Sequence, residues 1–89
     1  MDLNRQRFAA NVKRARRRLG ISQEELGFRC DLNRTTISHY ERGSREPGVD
    51  AVIKLAAGLE TTPDSLCEGV SWLIDEQRFE VEPPSERLD

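Results

Sequence analysis

Apolar side chains recur along residues 4–69 at helical spacing, and polar caps and glycines divide the repeat into five pieces. The first places Phe8, Val12, Ala15 and Leu19 on one face, at steps of four, three and four residues, with Asn4 where a cap belongs. Gly20 ends it, because glycine takes the left-handed conformation without a Cβ penalty. "SQEE" (22–25) is a capping box: the Ser22 hydroxyl accepts from the Glu25 amide, and the Glu25 carboxylate reaches back to the Ser22 amide. A second helix then runs from Gln23 to about Cys30, with Leu26 and Cys30 inward. Asp31-Leu32 forms a tight turn, and Asn33 caps a third helix that ends at Gly43. Pro47-Gly48 opens a fourth (49–59), with Val49, Val52, Ile53, Ala56 and Leu59 expected inward. Thr62 caps a short fifth, with Pro63 at its first position and Gly69 at its end.

A short helix, a turn of about three residues and another short helix make a helix-turn-helix arrangement. Gly27 lies in the middle of the second helix, where it costs ~1 kcal/mol relative to Ala. Close approach explains it: the third helix must cross the second, and a side chain larger than Ala would hold them apart. In "DLNRTTISHYERGSREPG" (31–48), Ile37 and Tyr40 are the inward positions, and Arg34, Thr35, Ser38 and His39 occupy the other face. A merely solvated face favours Lys, Glu and Ala, which are good helix formers. Thr-Thr-x-Ser-His gives up helix propensity for short donors and acceptors, which suits a face that reads base edges in a groove.

Composition narrows the classes. Eighty-nine residues make one small domain, or one domain plus a tail, and 36 % apolar against 34 % charged residues implies a thin core. The net charge of −2 conceals a segregation. Residues 1–62 hold 12 Lys/Arg against 8 Asp/Glu, including "KRARRR" (13–18), whereas residues 63–89 hold 2 against 8. A basic front with an acidic tail suits a polyanion-binding module. No apolar run approaches the roughly 18–20 residues that span a membrane, and "MDLNRQRF" lacks the apolar stretch of a secretory signal. The cytoplasm is therefore the expected location. Cys30 and Cys67 match no metal spacing and fall on apolar helical positions, where buried free thiols are expected before a disulfide. One histidine, no paired carboxylates in a pocket-forming context and no phosphate loop speak against an enzyme, and no cofactor or metal is called for.

"RARRRLGISQEELGFRCDLNRTTISHYERGSREP" (14–47), followed by "IKLAAGLETTPDSL" (53–66), resembles the phage-repressor/Cro-like helix-turn-helix domains of the XRE family. The resemblance covers about residues 6–69 and departs from the family at Asp31, where glycine is usual; Asp tolerates the left-handed region better than most residues. It implies an all-α, compact five-helix lambda-repressor-like domain over residues 1–69, which binds double-stranded DNA. By the same resemblance Arg34, Thr35, Ser38 and His39 would enter the major groove. Gln23, Asn33, Arg42, Ser44 and Arg45 would contact phosphates, which position without carrying sequence information. Arg16 would pair with Glu41 inside the domain, leaving Arg14, Arg17 and Arg18 to face solvent or DNA.

Residues 70–89 form an acidic extension beyond the resemblance. "VSWL" and "RFEV" are β-prone runs around "IDEQ", a candidate hairpin, and Trp72 and Phe79 would patch the core or meet a second protomer. Phe28, away from the Leu26–Cys30 face, would cover this tail or meet a partner. The expected function is sequence-specific transcriptional regulation, as a repressor or autoregulator binding palindromic operators as a homodimer. The alternative from another class is a protein-interaction module, such as an antitoxin or adaptor, whose tail binds a protein partner.

Overall fold

Caps and glycines divide the chain into α1 (Leu3–Leu19), α2 (Gln23–Cys30), α3 (Arg34–Glu41), α4 (Val49–Gly58) and α5 (Pro63–Leu66). The computed structural model describes residues 3–70, and no strand occurs among them. The expected hairpin, Trp72 and Phe79 lie outside the described residues.

Local chemistry sets most boundaries. The Ser22 hydroxyl accepts from the Glu25 amide at 3.0 Å, which is half of the expected capping box. The Glu25 carboxylate instead accepts from Arg29 one turn later, at 3.3 Å. Asp31 takes the left-handed conformation (φ 56°), and the Leu32 amide returns to the Gly27 carbonyl at 2.9 Å, the closure that usually ends a helix on glycine. Thr62 caps α5 by accepting from the Ser65 amide at 3.1 Å. Two expected boundaries shift. Asn4 lies inside α1 rather than capping it, and α5 ends at Leu66, leaving Gly69 (φ 83°) to a following turn.

The core gathers Phe8 and Val12 of α1, Leu26 and Cys30 of α2, Ile37 and Tyr40 of α3, Leu55 and Ala56 of α4, and Leu66 of α5. Each large side chain fully buried here contributes roughly 1.5–3 kcal/mol, so helices of eight residues, marginal alone, depend on this cluster. Ala15, Leu19, Cys67 and Val70 pack at its edge. Cys67 is thus only half-buried, whereas Cys30 is buried, and burial raises its thiol pKa so that it stays a protonated hydrophobe.

The face of α4 differs from the expectation. Val49 and Ile53 are 76 % and 54 % exposed, and Ala51, Leu55, Ala56, Gly58 and Leu59 turn inward, with Val52 partly buried. The cause is close packing at the end of the helix. A Cβ on Gly58 would collide with the Cys30 sulfur of α2, so α4 presents its smallest residue to α2 and rotates Val49 and Ile53 outward.

Gly27 is constrained more tightly than the crossing of two helices requires. A Cβ there would lie 2.6 Å from the Leu32 carbonyl oxygen and 3.4 Å from the Arg34 nitrogen, so the turn backbone excludes even Ala. Gly27→Ala should therefore destabilise the domain by roughly 1–2 kcal/mol in urea unfolding, although Ala gains ~1 kcal/mol of helix propensity. A more stable variant would contradict this geometry.

An ion pair joins α1 to α3. The Arg16 Nε donates to Glu41 Oε2 at 2.6 Å and its Nη2 to Oε1 at 2.9 Å, with 14 % and 1 % of the two side chains exposed. The Glu41 hydrogen bond and charge raise the pKa of Arg16 against the opposing effect of burial. Glu41→Ala leaves that guanidinium buried without its partner, at a cost of ~3–5 kcal/mol, enough to lower Tm by on the order of 10–40 °C. A thermal melt unchanged from wild type would refute this role.

Candidate nucleic-acid interface

Helix α3 is divided lengthwise. Ile37, Tyr40 and Glu41 are buried, Arg34 and Thr35 are exposed, and Ser38 and His39 are half-buried on the outward side. Arg34, Ser38 and Arg42 follow one another at intervals of four, as do Thr35 and His39, so the structure places all four proposed readers on adjoining rows.

The inward side of α3 also reaches α2. The Gln23 side-chain amide donates to Glu41 Oε1 at 3.1 Å, and Arg16 Nη1 donates to the Ile21 carbonyl at 2.8 Å. Glu41 therefore holds Arg16 and Gln23 together, and the first residue of α2 is fixed against the end of α3. Each amide nitrogen carries two protons, so Gln23 keeps a second donor for an outside acceptor.

His39 belongs to a small cluster. Its Nδ1 lies 3.2 Å from Arg42 Nη2 and 3.1 Å from Ser44 Oγ, while that hydroxyl also lies 3.2 Å from the His39 carbonyl, to which it can donate. With Nδ1 engaged by Arg42 and Ser44, Nε2 is the ring nitrogen left for a partner outside this cluster.

Asn33 acts first as a cap: its Oδ1 accepts from the Thr35 and Thr36 amides at 2.8 and 3.2 Å. Those two amides are thus taken up by the cap, and of the Asn33 side chain the Nδ2 donors remain for a phosphate. Arg45 is exposed in the loop after α3.

Two features escaped the sequence reading. The Gln23–Glu41 bond joins positions 18 apart that no local spacing connects. Lys13 joins Arg14 and Arg17 beside Arg42 in one groove between α1 and the end of α3. The repeat of cations along α1 was its visible signal.

Residues 12–66 match a helix-turn-helix family model. The control protein C.BamHI of Bacillus amyloliquefaciens is 39% identical over 62 residues, spanning 68% of this chain and 76% of that protein. Repressor protein C2 of Salmonella phage P22 is 30% identical over 67 residues, which are 75% of this chain and 31% of the repressor. The crystal structure of the restriction-modification controller protein C.AhdI from Aeromonas hydrophila superposes with a TM-score of 0.71 at 31% identity, covering 73% of this chain and 98% of that one. The chain belongs to this helix-turn-helix family of DNA-binding transcriptional regulators.

Proposed function

We propose that this regulator reads its DNA through the outward face of α3, seated in the major groove, and acts as a homodimeric repressor on a two-fold operator. The observation that carries the reading is the division of α3. Its buried side fixes the helix against α1 and α2, and its other side offers Arg34, Thr35, Ser38 and His39 in place of good helix formers. Arg34 is suited to a bidentate pair with guanine, worth ~1–3 kcal/mol of discrimination. The Thr35 methyl suits a thymine methyl, Ser38 either kind of edge, and His39 offers its Nε2 to a base edge or a phosphate.

Gln23, Asn33, Arg42, Ser44 and Arg45 would hold phosphates and set the register. Glu41 accepts one amide proton of Gln23, which leaves the other for a phosphate. Two-fold pairing supports specificity, since one α3 contacts too few base pairs and a dimer doubles the site. The apolar surface left open at Val49 and Ile53 on α4 supports a face for the second protomer.

Selection of duplexes from a random pool tests the proposal, followed by affinities for the selected site and its single-base variants at two salt concentrations. Arg34→Ala and His39→Ala should keep the fold and relax preference at particular base pairs. Arg45→Ala should weaken all sequences alike and lower the salt slope by about one for each protomer bound. Equal losses on every variant for Arg34→Ala and His39→Ala would remove α3 as the reader, and a selected site without two-fold symmetry would remove the dimer.

A further inference from the structure

Beside α3 lies a cluster of cations that the described residues leave without a matching charge. A groove of about 540 Å3 runs between α1 and the end of α3, lined by Ala10, Lys13, Arg14 and Arg17 of α1 and by Arg42 beyond α3. Among the described residues none of these four cations has an ion-pair partner; Arg14 donates only to the neutral Asn11 Oδ1, at 3.3 Å. Glu41 also lines the groove, but Arg16 already matches its charge through two hydrogen bonds. Lys13 and Arg17 lie four apart on one helix face, a like-charge spacing that costs a helix roughly 0.2–0.5 kcal/mol. The result is a concave surface of one sign, which concentrates anions.

Its position suggests which anion. Arg42 stands at the end of the row that begins with Arg34 and Ser38, so it borders both the reading face and the groove. A duplex with α3 in its major groove passes its backbone over Arg42, and the groove continues that line along α1.

We propose that this groove is a second phosphate site, in which Lys13, Arg14 and Arg17 hold the DNA backbone flanking the half-site read by α3. The proposal rests on the reading of α3 as the groove-entering helix. It assigns to α1 a share of affinity that carries no base preference.

The test uses the full chain and its selected duplex. Lys13→Ala/Arg17→Ala should melt as wild type does and keep the same order of preference among single-base variants. Because the homodimer loses two cations in each protomer, its salt slope should fall by about four, so that between 50 and 200 mM salt it loses on the order of a hundredfold less affinity than wild type. Hydroxyl-radical footprinting should show protection shortened at the outer edge of each half-site. An unchanged slope and footprint, with Arg34→Ala still relaxing base preference, would overturn the groove alone. Failure of the wild-type chain to select any duplex would overturn the groove and the reading of α3 together.

Discussion

The Glu41 carboxylate accepts two hydrogen bonds from Arg16 of α1 and one from Gln23 of α2 while belonging to α3, so three helices meet at one buried charge. A buried ion pair is weak grounds for stability, because desolvation offsets much of the attraction and an apolar replacement often does as well. Its effect here is geometric. A guanidinium fork accepts a carboxylate in few arrangements, so the pair fixes how α3 sits on α1. The same carboxylate accepts from the Gln23 amide and so fixes the start of α2 against the end of α3. An apolar cluster would pack this corner equally well and would leave Gln23 without that acceptor.

Two glycines set how closely the remaining helices approach. Gly27 lets the turn after α2 fold back until the Leu32 carbonyl occupies the space of a side chain, which places the start of α3 directly under α2. Gly58 lets α4 close on Cys30. The consequences reach the surface: one contact presents the outward row of α3, and the other turns Val49 and Ile53 to solvent.

Much of this was legible in the sequence, for different reasons. Ser22, Asn33 and Thr62 declare helix starts because each cap is a contact within three residues. The inward positions of α1 and α3 follow from spacing, since a single wide face meets the core. The Arg16–Glu41 pair was implied by family resemblance and not by spacing. Contacts between distant elements were not legible. Gln23 reaching Glu41, and His39 held by Arg42 and Ser44, depend on how helices cross. The face of α4 was misjudged because its apolar residues surround the helix, and the tight contact at Gly58, not periodicity, selects the buried side.

On the proposed reading the outward row of α3, held by Glu41, is the surface that meets DNA. Titration of a selected duplex into the isotopically labelled full chain, followed by amide chemical shifts, tests it most directly. Changes should concentrate at Gln23, along residues 33–39 and over residues 42–45, with the solvent face of α2 around Phe28 and the turn after α5 little affected. Changes centred on those latter surfaces, with residues 33–39 unmoved, would contradict the account.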